Sequence, residues 1–374
     1  MSEKARPTAV ELFCGAGGMT LGFEQGGYDV LAAFDIEAWN VATHQRNFPG
    51  AACHTVDLSE QDGDALRTLA ELGDRAIDIV IGGPPCQGFS LGGSRDGEDE
   101  RNLLVYDFCR LVRDLNPRYF VMENVRGLLS DHAQDILGSF RRRVRRAGYR
   151  IVEPIRTLNA ADFGVPQDRV RTFVLGYRED QPAPSYPVAP KDGMAPSVRD
   201  ALEALPHVDD HEALFDLDVF SGQLDLPMNP YARLMRGLDR DPHDLSPRRP
   251  IPRRRLTGCL RTRHSKTTVR RFRSTTAGEQ EPISRYIRLD WDGISTTLRA
   301  GTDRKHGAHT APRPIHPSLP RCITSREAAR LHSLPDWFRF HGTRWHDFRQ
   351  IGNSVPPLLA GAVARAMRPM FEAT

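Results

Sequence analysis

A short apolar run over residues 8–13 stops at Cys14-Gly15-Ala16-Gly17-Gly18 and gives way to a helical pattern near residues 19–23. A strand that ends in a glycine-rich turn and feeds a helix is the opening unit of a parallel sheet covered by helices. Glycine lets the backbone reverse tightly and leaves open space above it. The pattern then repeats: residues 28–34 read as a strand, 38–47 as a helix, and 77–82 as a buried strand halted by Gly83-Pro84-Pro85. Residues 102–115 follow as a helix, 119–122 as a strand, 131–147 as a helix and 170–176 as a strand. Such alternation predicts an α/β fold built on a doubly wound sheet. Beyond Gln181 the prolines Pro182, Pro184, Pro187, Pro190 and Pro196 interrupt any regular element. Periodicity returns at Thr324-Ser325-Arg326-Glu327, a capping box that predicts a helix through Leu334; an apolar C-terminal stretch over 356–369 predicts a last one. The expected division is residues 1–185, completed by 343–374 returning to them, and a smaller, irregular unit over 186–342 with a short strand near 286–289.

Composition narrows the class. The chain has 374 residues, 39% hydrophobic and 26% charged, which excludes wholesale disorder. The longest apolar runs fall short of the ~20 residues a membrane-spanning helix needs, and the N-terminus lacks the apolar core of a secretory signal, so a cytoplasmic protein is expected. Six cysteines lie far apart with no C-x-x-C, which predicts free thiols and no structural zinc. Net charge is only +3, but its distribution is uneven: between Leu245 and Gly278 there is no acidic residue, while Arg248, Arg249, Arg253, Arg254, Arg255, Arg261, Arg263, Lys266, Arg270, Arg271 and Arg273 are all basic. A stripe of this kind predicts a polyanionic partner.

Several residues stand where chemistry is done in such a sheet. The glycine turn leaves its backbone open to a nucleotide-like ligand, and Glu37, 22 positions after Gly15, can accept from two ribose hydroxyls. That pair fits a dinucleotide or S-adenosylmethionine equally well, and the glycines alone also fit plain strand-to-helix packing. Cys86 sits on a proline-stiffened turn at the carboxyl end of a buried strand, where open sheets hold their ligands, so a nucleophilic thiol is favoured over inert packing. Glu123 ends the neighbouring strand, and its carboxyl is expected in the same crevice, with a proton to share; a helix cap or surface turn is the plainer use. Arg169 and Arg171 alternate and so face one side, suited to a phosphate, a base carbonyl or surface carboxylates. His306 and His309 lack a third ligand nearby, and no metal is expected.

Together, Glu11–Phe23 (ELFCGAGGMTLGF), Gly83–Ser90 (GPPCQGFS), Glu123-Asn124-Val125, Gln167–Arg171 (QDRVR), Thr324–Arg330 (TSREAAR) and Gln350–Pro357 (QIGNSVPP) resemble, in order, the signature blocks of DNA (cytosine-5) methyltransferases of bacterial restriction-modification type. The resemblance spans nearly the whole chain. It implies a Rossmann-like methyltransferase sheet plus a target-recognition domain, with S-adenosyl-L-methionine as methyl donor and S-adenosyl-L-homocysteine as product. It implies that Cys86 adds to carbon 6 of a flipped cytosine, that Glu123 holds and protonates N3, that Arg169 and Arg171 contact the base or its phosphate, and that the Pro84 carbonyl accepts from the exocyclic amine. Phe13, Gly15, Gly17, Gly18, Glu37, Asp57, Leu58, Pro85, Leu104, Asn353 and Val355 would line the cofactor site; Pro84, Gln87, Ser90, Arg261, Arg263, His264, Lys266 and the stretch 299–309 would meet DNA. Two departures bear on the adenine contacts: Val56 precedes Asp57 where a glycine is common, and Asp35-Ile36 precede Glu37. The implied partners are double-stranded DNA and a separately acting restriction endonuclease, with a monomeric enzyme. A tRNA-methylating relative usually has a shorter insert, a non-catalytic homologue would lose Cys86 or Glu123, and a nicotinamide-dependent oxidoreductase leaves the Pro-Pro-Cys block without a role.

Overall fold

The computed structural model describes residues 6–85, 104–190, 193–301 and 312–372. The first half runs β1 (Thr8–Leu12), α1 (Gly18–Gln25), β2 (Asp29–Asp35), α2 (Ala38–Asn47), β3 (Ala52–Thr55), α3 (Gly63–Leu69), β4 (Ile79–Gly82), α4 (Leu104–Leu115), β5 (Tyr119–Val125) and α5 (Gln134–Arg146). It continues with β6 (Tyr149–Ile151), β7 (Arg156–Asn159), β8 (Gln167–Asp168) and β9 (Val170–Arg178). Among the described residues the main sheet has the order β3-β2-β1-β4-β5-β9-β6, with β7 also on β9. Pairs from β3 to β5 are parallel, whereas β9 runs antiparallel to β5, β6 and β7.

This order fixes where a ligand can sit. From β1 the chain winds outward through β2 and β3, then returns to lay β4 on the other side of β1. The connections leaving β1 and β4 therefore diverge, and the crevice at their carboxyl ends is the switch point where open sheets bind ligands.

Alternate side chains of each strand point to opposite faces. On one face Val10, Leu12, Val80, Phe120 and Met122 pack against Leu66 of α3, Phe108 and Leu111 of α4, and Leu137 and Phe140 of α5. On the other, Ala9, Ile79, Ile81, Tyr119 and Val121 meet Met19 and Phe23 of α1 and Leu359, Val363 and Met367 of α11 (Pro357–Met367). Coverage of both faces is what a parallel sheet requires. The α1–α11 contact is backbone-close: a Cβ on Gly22 would lie 2.4 Å from the Ala360 Cβ.

The intervening stretch carries α6 (Val198–Leu202), β10 (Phe220–Ser221), α7 (Pro230–Arg236), β11 (Arg255–Leu256), α8 (Lys266–Ser274), β12 (Ser295–Thr296), α9 (Ser325–Leu331) and α10 (Arg344–Asn353). β10 pairs with β11, and β12 pairs in parallel with β8. The helix expected through Leu334 ends three residues earlier, at Leu331, but both reciprocal bonds of the Thr324–Glu327 capping box are present. One buried cluster joins Ala16, Leu21 and Phe48 to Val198, Tyr231, Phe338 and Phe340 and to Phe348 and Ile351. It crosses both expected boundaries, near residues 185 and 342. Beneath it, Asp336 accepts from Arg330 at 2.8 Å and Arg236 at 2.6 Å, all three side chains almost wholly buried. The paired guanidiniums hold the Asp336 carboxyl down at about 2 against the cost of its burial.

Candidate active site

The turn after β1 is built from left-handed backbone: φ is +57° at Phe13, +53° at Gly15 and +94° at Gly17. Gly15 donates its N–H to Asp35 Oδ2 at 2.8 Å, and Asp35 also accepts from the Glu37 N–H and Asn40 Nδ2. Asp35 thus ties the exits of β1 and β2 together, and burial raises its pKa. The sequence marked Asp35 only as a departure beside Glu37; the signal for its role was a carboxylate closing the strand that follows a glycine turn.

The three glycines serve different ends. A Cβ on Gly17 would lie 2.4 Å from the Phe48 ring, and one on Gly18 would lie 1.9 Å from Ser354 Oγ, whereas Gly15 faces open space. The 353–355 segment therefore rests directly on the turn, with Asn353 exposed and Val355 buried. Glu37 is exposed at the end of β2 and accepts from Trp39 Nε1 at 2.8 Å. Asp57 follows β3 and takes the Ser59 N–H and hydroxyl on Oδ1, with Leu58 buried beside it. Pro85 is exposed, and Leu104 opens α4 half-buried. An open glycine backbone between two carboxylates suits a ligand with hydroxyls and an amine, so the residues present fit S-adenosylmethionine.

The other side of the crevice holds the acid. Glu123 lies near the end of β5, 9% exposed, and a Cβ on Gly83 would be 3.1 Å from Glu123 Oε2. Arg171, across the β5–β9 ladder, places Nε 3.1 Å from Glu123 Oε1. Burial raises the Glu123 pKa, and the positive charges of Arg171 and Arg169 offset part of that rise. A carboxyl whose burial favours the protonated form is suited to sharing a proton with a neighbouring acceptor. Asn124 Nδ2 donates to the Pro84 carbonyl at 3.2 Å and so moors the Gly83-Pro84 strap to β5; a carbonyl has a second lone pair for another donor. Cys86, Gln87 and Ser90 lie outside the described residues, as do His306 and His309.

The profile of the C-5 cytosine-specific DNA methylases matches residues 8–368. The chain belongs to that family. Type II methyltransferase M.XorII of Xanthomonas oryzae is 48% identical over 96% of this chain and 84% of its own length. Type II methyltransferase M.AgeI of Thalassovita gelatinovora is 32% identical over 96% of this chain and 98% of its own. Among solved structures, a prophage-encoded DNA modification methyltransferase of Escherichia coli superposes with a TM-score of 0.81 at 33% identity, covering 98% of this chain and 99% of that one. The chain is a DNA cytosine-5 methyltransferase.

In this methyltransferase several expected DNA contacts already have partners. Arg169 does not present its guanidinium to a base: it is 1% exposed and donates to the carbonyls of Leu298, Gly352 and Ser354 at 2.8–3.0 Å. Arg169 and Arg171 both bear on Glu123, but Arg169 stands between two strands, β8 and β9, in the gap where the chain's last third closes over it, and its terminal nitrogens go to main-chain oxygens there. Arg261 is held by Asp209 at 3.0 Å and lies over Phe215 at 4.0 Å; Arg263, more exposed, faces Asp216 at 3.2 Å and the same ring. His264 accepts from the Cys322 N–H, and burial with three nearby arginines drives its pKa to about 4, so it is neutral. Lys266 is exposed at the start of α8. The stripe as a whole is partly neutralised by distant acids: Arg249 meets Glu24 at 2.7 Å, and Arg271 meets Glu281 at 3.1 Å. Arg248, Arg253, Arg254, Arg255, Arg270 and Arg273 are exposed, with no carboxylate partner among the described residues.

Proposed function

We propose that the enzyme methylates carbon 5 of a cytosine flipped out of a specific duplex sequence, with Cys86 as nucleophile and Glu123 as acid. The observation that carries this reading is the buried, raised-pKa Glu123 set between Arg171 and the Gly83-Pro84 strap that leads into Cys86. Carbon 5 is a poor nucleophile until the ring is made electron-rich. The Cys86 thiolate adds to carbon 6, Glu123 protonates N3, and the ring becomes an enamine that can attack an electrophilic methyl. S-adenosylmethionine, held by Gly15, Glu37, Asp57 and Asn353, supplies that methyl when bound. Loss of the carbon-5 proton to a base or water, expulsion of the Cys86 thiolate and return of the N3 proton to Glu123 restore the aromatic ring and the starting enzyme. The Pro84 carbonyl receives the exocyclic amine, and Arg171 holds the Glu123 carboxyl in place and is near enough to meet the base. Extrusion of the cytosine costs about a few kcal/mol, which contacts to the exposed arginines offset.

Residues 1–185 with 343–374 act in this reading as the catalytic part, and 186–342 as the recognition part. Transfer to one flipped base needs a single subunit, so the enzyme works as a monomer in the cytoplasm, as the modification partner of an independently acting restriction endonuclease. Labelled methyl transfer to mixed-sequence duplex DNA and to bulk tRNA, with wild type and Cys86→Ala, tests it. Label at carbon 5 of cytosine within one short DNA motif, absent from the variant, is expected. Label in tRNA alone, or equal label with Cys86→Ala, would overturn it.

A further inference from the structure

The charges around residues 261–264 do not balance. Arg321 is fully matched: its Nε lies 2.7 Å from Asp209, and its two terminal nitrogens lie 2.9 Å from the two oxygens of Glu327. Arg261 shares Asp209, and Arg263 faces Glu212 and Asp216. Two more guanidiniums converge on the same short backbone. Arg313 Nη1 donates to Thr262 Oγ1 at 2.9 Å, and Arg344 Nη1 donates to the Arg261 carbonyl. Both are half-buried, and neither has a carboxylate within ion-pair distance among the described residues. Arg313 is fixed by the Phe348 ring of α10, 5.7 Å away. The neighbouring histidine offers no compensation, being neutral.

Two like charges brought together with reduced access to water repel, and the arrangement lacks an anion with oxygens for both. The surroundings say what kind. Lys266, Arg270 and Arg273 lie along one face of α8, at helical spacing, and are exposed. The ring of Phe272 on that helix packs with Ile315 and Cys322 and lies 5.1 Å from His264, which fixes α8 beside the pair. A seat for one phosphate that continues into a row of cations suits a phosphodiester chain, not an isolated ion. We infer that Arg313 and Arg344 clamp one backbone phosphate of the duplex, a contact that sets the register of the DNA without reading its sequence. Arg344 opens α10, which spans about 15 Å and ends at Asn353 beside the glycine turn. The seat thus stands at the far end of the helix that reaches the cofactor crevice. This inference rests on the function proposed above.

The test is binding of a labelled duplex of about 20 bp across 50–200 mM salt, with wild type, Arg313→Gln, Arg344→Gln and the double variant. Each lost contact is expected to lower the slope of log affinity against log salt by about 0.9, and to weaken binding about eightfold at 0.1 M salt, alike for any sequence. Arg344→Lys, which keeps the charge, retains the slope, and Arg141→Gln on α5, whose partner is Glu153 at 2.9 Å, leaves it unchanged. A role in holding the 261–262 backbone alone would instead lower the melting temperature and leave the slope untouched, and that result overturns the inference. Wild-type hydrogen exchange gives a reading that needs no variant: saturating duplex protects the amides of 261–264 and 344–348, and absence of protection there overturns it too. A wild type that binds no duplex refutes the function itself; a wild type that binds, with the double variant unchanged, refutes only the seat.

Discussion

Replacing Glu123 by Gln separates chemistry from stability at one position. Gln keeps the shape and leaves an oxygen for Arg171 Nε, now 3.1 Å from the carboxylate, but it has no proton to give N3. A positioned general acid is worth about 10²–10⁴ in rate, or roughly 3–5 kcal/mol of barrier. Folding responds differently. Burial raises the Glu123 pKa in spite of two nearby arginines, so the ionised carboxylate is less at home in the folded protein than in water. For an acid with a raised folded pKa, the stability it contributes is complete at low pH and is lost as pH rises through the folded value. A neutral isostere removes that loss. Glu123→Gln is therefore expected to cut single-turnover methyl transfer by about 10²–10⁴ while leaving the denaturation midpoint at pH 7.5 unchanged or higher. Near-normal turnover would refute the acid role. Retained turnover together with a loss of about 3 kcal/mol or more would show that Glu123 is mainly the counter-ion of Arg171.

Three further outcomes follow from the packing. Asp336→Asn leaves Arg330 and Arg236 buried without their charge and is expected to destabilise by about 3–5 kcal/mol, read as a shift in the urea midpoint. Gly17→Ala forces a Cβ to within 2.4 Å of Phe48 at a φ of +94°; calorimetry should show S-adenosylmethionine binding weakened more than about tenfold, and urea unfolding a cost of about 1–3 kcal/mol. Glu11, buried on β1 and bonded to Thr20, has its pKa pushed up from 4.5 to about 7 by burial. The stability it lends is full below pH 4.5 and fades as pH rises to 7, so the stability of Glu11→Gln relative to wild type should climb by about 3 kcal/mol across that window; a flat difference would refute the assignment.

How legible all this was depended on how local its cause is. Helix α2 and the α9 capping box follow from side chains a few residues apart and could be read directly. Strand β3 and helix α3 were missed because they are short and weakly patterned, and packing against the neighbouring β2, α2 and α4 holds them. The direction of β9 is set by pairing with β5, which no local pattern encodes. In the site, the glycine turn, Glu37 and Glu123 stood in recognisable blocks. The burial of Arg169 did not, since its three acceptors come from residues more than a hundred positions away. The arginine stripe pointed to a polyanionic partner, in keeping with a DNA methyltransferase, but not to which of its cations are already paired: Glu24, Asp209 and Glu281, which quench parts of it, lie outside the run.

Among the described residues, the bonds that the Arg169 guanidinium makes are all to main-chain oxygen: Leu298 on the way out of the middle stretch, and Gly352 and Ser354 beside the glycine turn. A joint that grips only the peptide backbone is blind to which side chains it carries. In the division proposed above, the middle stretch can therefore change its residues, and with them the DNA word assigned to it, without loosening its attachment to the catalytic part. In such an architecture new specificity can evolve by substitution on one side of a fixed hinge pin while the chemistry on the other side stays as it was.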